Sequence, residues 1–236
     1  MKKLFTVALL AVCAVAGAQK TINDPNAQLR TVSSFHGVKV SSGIDLYLSP
    51  GDEAVAVSAR DAEYRDRILT KVENGVLHIW YDHKGMSWSN GNKALKAYVS
   101  YKALDQVDAS GGSDVLVDGT IRANKLSVNL SGGSDFKGAV AVQQMKVDQS
   151  GGSDMTVSGT AGTLRVDASG GSDFKGYGLS AESCTAEASG GSDIDVQVSK
   201  EIRAHASGGS DISYRGNPSV VETNKSGGSS VKKSGK

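Results

Sequence analysis

A five-residue motif, Ser-Gly-Gly-Ser-Asp, recurs along the second half of the chain and constrains its fold more than any other feature. The intervals between successive copies are 21, 19, 19, 20, 18 and 19 residues. Repeats of this length with a glycine pair are typical of a β-solenoid, in which each repeat forms one coil. The copies begin at Ser110, Ser131, Ser150, Ser169, Ser189 and Ser207, and a degenerate copy, Ser-Gly-Gly-Ser-Ser, begins at Ser226.

The residues around the motif alternate between apolar and polar side chains. We call the residues at one position in successive coils a column. The columns three and five residues before the motif are mostly apolar, and the column five residues after its first serine is apolar throughout. This period of two predicts strands with one buried face, and the glycine pairs exclude a helix. A strand that runs straight through the motif points the second serine inward and the aspartate outward, whereas a corner at the glycine pair would allow this parity to slip. Cys184 occupies an apolar column and is predicted to be a buried thiol.

The composition agrees with a narrow, strand-built interior. The chain has 29 glycines, 6% aromatic residues and a formal net charge of +1. This balance argues against a strongly charged disordered chain and against a nucleic-acid-binding protein. We therefore expect an all-β fold of about 19–20 residues per coil, as the motif intervals indicate.

The first 18 residues have the features of a signal peptide. Lys2 and Lys3 precede an apolar run, and Ala16-Gly17-Ala18 forms a small-residue cleavage site. The sequence thus predicts export to the periplasm, the outer surface or the medium. No transmembrane segment is expected in the mature chain.

One continuous domain is expected after cleavage. Residues 19–104 lack the motif but alternate as strands do, so they are predicted to form an N-terminal β cap and the first coils. Residues 105–231 form the repeat solenoid, and residues 232–236 form a basic tail. A cap is expected because the end of a solenoid must be protected against edge-to-edge pairing.

Two acidic columns flank the glycine pair. Neighbouring carboxylates about 5 Å apart repel each other by roughly 1 kcal/mol in water, so something must offset this repulsion. Either each aspartate caps its turn by accepting backbone N–H groups, or the columns bind a row of Ca²⁺ ions. Both alternatives stay open from the sequence, and no other cofactor is expected. The aspartate column is Asp114, Asp135, Asp154, Asp173, Asp193 and Asp211, and the second column, two residues before each motif, contains Asp108, Asp148, Asp167 and Glu187.

Aromatic residues concentrate in the N-terminal section. Trp80, Tyr81 and Trp88 lie within nine residues of one another. They either pack inside the cap or form an aromatic ligand surface for sugars.

Several segments resemble one known family, the auto-transporter adhesin head family, also called the head GIN domain. The resemblance covers residues 32–215 and implies a right-handed parallel β-helix in a cell-envelope or secreted protein. The resemblance assigns no catalytic residue to this sequence. The segments that carry it are Phe35-His36-Gly37-Val38-Lys39-Val40, Gly43-Ile44-Asp45-Leu46-Tyr47-Leu48, Val72-Glu73-Asn74-Gly75-Val76-Leu77-His78-Ile79 and the repeated motif.

Three functions are compatible with these residues. The leading hypothesis is a non-enzymatic envelope or secreted protein that binds glycans or cell-surface proteins, because the sequence contains no catalytic constellation. A polysaccharide-acting enzyme would need two carboxylates in different environments, which a uniform column does not offer. A Ca²⁺-stabilised structural spacer is the third alternative.

Overall fold

The computed structural model describes residues 24–85 and 92–235. The predicted signal peptide and Trp88 lie outside this part of the chain. Within it, sixteen strands join in one sheet, and the only helix is α1, Ala62–Arg65. The strands are β1 Gln28–Arg30, β2 Gly37–Val40, β3 Asp45–Pro50, β4 Ala54–Ser58, β5 Ile68–Glu73, β6 Val76–Tyr81, β7 Lys96–Tyr101, β8 Gln106–Ser110, β9 Val115–Ser131, β10 Phe136–Ser150, β11 Asp154–Ala168, β12 Asp173–Ala188, β13 Asp193–Ala206, β14 Asp211–Arg215, β15 Val220–Lys225 and β16 Ser230–Lys233.

The long strands β9 to β13 stack in parallel, and each runs from one motif to the next. They form a parallel β-solenoid of about seven turns. The predicted inward columns are buried in β9 to β13, which confirms the period-two pattern there: Phe136 and Phe174 are each 1% exposed. In β15 of the last coil, Val221 and Thr223 of the same columns are exposed. Cys184 is 3% exposed, and burial raises the pKa of its thiol to about 12. β16 pairs with β14 through Lys233, so parallel pairing continues into the predicted basic tail.

The N-terminal strands add coils in an order that differs from the chain order. β2 lies between β6 and β8, and β3 lies between β7 and β9. The coil that contains β2 and β3 is therefore the second layer, and the later strands β6 and β7 form the outer layer. Antiparallel strands cover that layer, because β5 pairs with β6 and β4 pairs with β7. These strands form the expected cap, since they occupy edges that would otherwise be open to pairing.

The glycine pair makes a tight corner in every coil. The first glycine of each motif copy has a positive φ, such as 79° at Gly170. A Cβ there would lie 2.8 Å from the carbonyl oxygen of Gly151 in the preceding coil. The second serine points inward, so the alternation continues through the corner without a slip, and Ser192 is 0% exposed. Its hydroxyl donates to the Ala168 carbonyl of the preceding coil at 3.0 Å and accepts the Ser189 N–H at 3.2 Å.

Candidate binding site

The aspartates after the corner form one outward column, which includes one member outside the Ser-Gly-Gly-Ser-Asp motif. β3 pairs with β9 from Leu46 opposite Val115, so Asp45 precedes Asp114 in the column. Ser41-Ser42-Gly43-Ile44-Asp45 is a degenerate form of the motif. Its two central residues have φ values of 74° and 71°, and the glycine pairs of the first two motif copies, Gly111-Gly112 and Gly132-Gly133, also have positive φ at both positions. The conformation explains why this segment takes the place of a motif despite its different sequence.

Backbone N–H groups offset part of the repulsion along the aspartate column. The N–H of Asp135 donates to Asp114 Oδ1 at 3.4 Å, and the N–H of Asp154 donates to Asp135 Oδ1 at 3.2 Å. The donor therefore lies in the following coil rather than in the turn of the same aspartate. Lys175 Nζ adds a positive charge 3.0 Å from Asp154 Oδ2 and 3.4 Å from Asp173 Oδ2.

The compensation is incomplete at three aspartates. Burial raises the pKa of Asp114 above its usual value, and the neighbouring Asp135 carboxylate raises it further. Burial also raises the pKa of Asp193, which lies between the carboxylates of Asp173 and Asp211. The pKa of Asp45 is raised by burial and by Asp114. Each raised pKa means that the fold favours the neutral form of that side chain.

The aspartates stand in single file, and this arrangement bears on the Ca²⁺ prediction. Ca²⁺ takes six to eight oxygen ligands, which usually include several carboxylates around one point. Among residues 24–85 and 92–235, no three His, Cys, Asp or Glu side chains converge as metal ligands. A Ca²⁺ row would therefore need ligands other than clustered carboxylates, and it stays a prediction.

The second acidic column borders a groove before the corner, which we call the corner groove. Its volume is about 410 Å³. Its floor includes Leu130, Gln149, Ala168 and Ala188. Its walls carry the outward polar column and the first serine of each motif: Asn129, Asp148, Asp167, Glu187 and His205, with Ser131, Ser150, Ser169, Ser189 and Ser207.

Basic residues two positions earlier pair with the carboxylates of the corner groove. Lys146 Nζ lies 2.7 Å from Asp148 Oδ2. The Arg165 guanidinium lies 3.0 Å from Asp167 Oδ1 and 2.9 Å from Glu187 Oε1. Asp108, which belongs to the same column but does not line the groove, accepts the amide of Gln106 at 2.7 Å. The groove thus presents hydroxyl, amide and charge-paired carboxylate groups rather than a bare acidic stripe.

The predicted aromatic surface does not form as one face in the described residues. Trp80 and Tyr81 are consecutive in β6 and point to opposite sides of the strand. Tyr81 is 2% exposed and packs in the core, whereas Trp80 is partly exposed opposite Leu69. A different aromatic pair, Tyr47 and Tyr98, stacks with ring centroids 5.1 Å apart.

Comparison with known proteins supplies the family. Residues 34–218 match the family model described as "Putative auto-transporter adhesin, head GIN domain". The chain belongs to the head GIN domain family. No curated protein matches this head GIN domain chain.

Solved structures share the fold of this head GIN domain. A "putative adhesin" from Bacteroides fragilis NCTC 9343 has a TM-score of 0.82 at 20% identity, covering 88% of this chain and 95% of that chain. A "putative adhesin" from Parabacteroides distasonis ATCC 8503 has a TM-score of 0.67 at 19% identity, covering 88% and 96%. A "Putative lipid binding protein" from the same strain has a TM-score of 0.66 at 18% identity, covering 90% and 98%. At these identities the comparisons establish the fold.

The family and these neighbours carry the names of adhesins and binding proteins rather than of enzymes. Within the described part of the chain, no helix is long and apolar enough to cross a membrane.

Proposed function

We propose that this head GIN domain is an exported, non-enzymatic binding protein of the bacterial cell envelope or exterior, and that its corner groove binds an extended glycan. One observation carries the proposal. The groove repeats a serine beside a polar residue in successive coils, which are spaced by about 4.8 Å along the solenoid. An extended polysaccharide also presents hydroxyl groups at a regular repeat, so the two surfaces can form hydrogen bonds along their lengths.

The chemistry of the corner groove suits binding to neutral hydroxyl groups. Serine hydroxyls and the Asn129 amide both donate and accept hydrogen bonds, and the carboxylates accept them. Lys146 and Arg165 neutralise much of the acidic charge of the groove. The groove therefore has little net charge, which suits a neutral glycan. The names of the family and of its solved neighbours as adhesins support a binding role.

An enzymatic role has weaker support from the same geometry. A glycosidase needs one carboxylic acid that stays protonated beside a second carboxylate that is ionised. In the corner groove, Asp167 and Glu187 share the guanidinium of Arg165, so both have the same cationic partner. The groove therefore lacks the contrast between an apolar and a polar environment that separates an acid from a base.

The location rests on the sequence and on the family. The first 18 residues carry the predicted signal peptide, and the family takes its name from auto-transporter adhesins. Fractionation of cells that express the full chain, with detection of its amino terminus, tests this part. Recovery of an uncleaved chain from the cytoplasm would contradict it.

A pull-down with fluorescently labelled cell-wall and mucin-type glycans tests the binding function. The mature chain from Gln19 should retain a glycan, and the double variant Ser150→Trp, Ser189→Trp should not, because two indoles fill the corner groove. Both serines are exposed, so the fold should tolerate the change. Gln144→Trp is the matched control, since Gln144 is exposed on β10 outside the groove.

Two results would contradict the proposal. One is retention of no glycan above an unrelated β-helix. The other is release of reducing sugars from the glycan by the purified chain, with loss of that activity in Asp167→Asn, which would favour the enzyme alternative.

A further inference from the structure

The unequal motif intervals produce an irregularity on the face that carries the aspartate column. The coil that begins at Ser110 has two residues more than the coil that begins at Ser131 (21 against 19). The register shows where they go. Leu116 pairs with Lys137, whereas Thr120 pairs with Ala139, so the extra residues of β9 bulge around Asp118.

A second groove lies against this bulge, and we call it the bulge groove. Its volume is about 290 Å³, near the lower end of the range for small-molecule sites. Its lining is mainly apolar or small and includes Leu116, Val117, Gly138, Ala139, Val157 and Ser158. It lies on the opposite side of the glycine corner from the corner groove, so it is an independent surface.

An exposed leucine marks one end of the bulge groove. Leu116 is 45% exposed and occupies an outward column whose next three members are Lys137, Thr156 and Lys175. On its other side, Leu116 pairs with Tyr47 of β3. The absence of a side chain at Gly138 keeps the groove open, because a Cβ there would lie 2.7 Å from Val117 Cβ. Leu116 thus gives one end of the groove an apolar side chain that a ligand can reach.

An unpaired cation lies at the rim of the bulge groove. Within the described residues, Lys137 forms no ion pair or side-chain hydrogen bond, whereas Lys175 in the same column binds two aspartates. The neighbouring aspartates of the column bind other groups. Asp114 and Asp135 accept backbone N–H groups, and Asp154 pairs with Lys175. Among the described residues, Lys137 is therefore a cation of the groove lining that remains free to pair with a ligand, and it lies beside the acidic aspartate column.

We propose that the bulge groove binds an amphiphile with a single alkyl chain and an anionic head group. The alkyl chain packs along Leu116, Val117 and Val157, and the head group pairs with the Lys137 ammonium. Removal of the chain from water drives binding, and the charge pair selects the head group. This inference does not depend on glycan binding in the corner groove.

Calorimetric titration of the mature chain with n-alkanoates of increasing length, each below its micellar concentration, tests the proposal. The affinity should rise about fourfold with each added methylene until the groove is full, and then level off. Alkyltrimethylammonium ions of the same length should bind at least several-fold more weakly. Lys137→Ala should remove this preference, and Lys137→Arg should restore it.

A blocking variant separates the bulge groove from general surface adsorption. Ser158→Trp should abolish alkanoate binding, while Thr163→Trp, on an exposed position of the same strand, should leave it unchanged. Far-UV circular dichroism verifies that both variants keep the fold. The proposal is overturned if no alkanoate binds, if affinity shows no plateau with chain length, if the cationic amphiphile binds equally well, or if folded Ser158→Trp still binds.

Discussion

Because neighbouring carboxylates repel each other along the aspartate column, removing the charge of one member should stabilise the fold. Asp193 lies between Asp173 and Asp211 and has no ion pair within the described residues, and its pKa is raised by burial and by these two neighbours. Asp193→Asn removes the charge but keeps an oxygen that can accept the backbone N–H of Asp211. We therefore expect Asp193→Asn to have a larger free energy of unfolding than the parent chain at neutral pH.

The size of the gain follows from the coil spacing. Two charges about 4.8 Å apart repel by roughly 0.9 kcal/mol at the dielectric constant of water. Two neighbours would contribute roughly 1.7 kcal/mol, but Asp193 is exposed, so solvent and salt screen the charges. A gain of about 1 kcal/mol remains after that reduction.

The pH dependence has a defined sign. Because the native state holds the Asp193 proton more tightly than the unfolded chain does, it binds more protons just above the ordinary aspartate pKa of about 3.9. The free energy of unfolding should therefore fall as the pH rises through this raised pKa. This fall should be smaller in Asp193→Asn.

Urea unfolding monitored by circular dichroism measures the effect at pH 3.5, 5 and 7. The matched control is Asp154→Asn, which removes a carboxylate that pairs with Lys175 at 3.0 Å and should give no gain. In 1 M salt, where the Debye length is about 3 Å, the gain for Asp193→Asn should shrink. A loss of stability in Asp193→Asn at pH 7, or an equal gain in the control, would refute the reasoning.

Two further predictions concern the corner and the Ca²⁺ row. Gly170→Ala should lower the free energy of unfolding by more than about 1 kcal/mol, because φ at Gly170 is 79° and the new Cβ would approach the Gly151 carbonyl. Gly171→Ala should lower the free energy of unfolding by less. Equal urea midpoints for the two variants would contradict this prediction. The melting temperature should be the same in millimolar Ca²⁺ and in a chelator, because no three carboxylates of the described residues converge on one point as Ca²⁺ ligands do. A rise of several degrees with Ca²⁺ would instead support the cation row.

Much of the fold follows from the sequence because each coil repeats the same local rule. The alternation around the motif predicts the buried Cys184, and Cys184 is buried. Ser192 is buried as well, although the alternation alone left open a slip of parity at the corner. The same parity also applies to β6, where Tyr81 shares the inward face of Leu77 and Ile79. The burial of Tyr81 agrees with the first of the two alternatives for the aromatic cluster, packing inside the cap.

No local sequence pattern determines the order of the first coils. Placing β2 between β6 and β8 depends on which long-range pairing closes the end of the solenoid, and the alternation of each strand allows several choices. For the same reason the sequence does not place Asp45 in the aspartate column, because that position follows only from the pairing of β3 with β9. The bulge groove has a signal in the 21-residue interval, but its position depends on the register around Asp118.

The length dependence of glycan binding tests the central claim of a corner groove most directly. The groove extends over five coils from Asn129 to Ser207, or about 19 Å along the solenoid. For a retained glycan, calorimetry with fragments of increasing length should show affinity that rises until the fragment spans the groove and then levels off. Ser150→Trp, Ser189→Trp should abolish this binding. Affinity that is independent of fragment length, or that is unchanged in the double variant, would contradict binding along the corner groove.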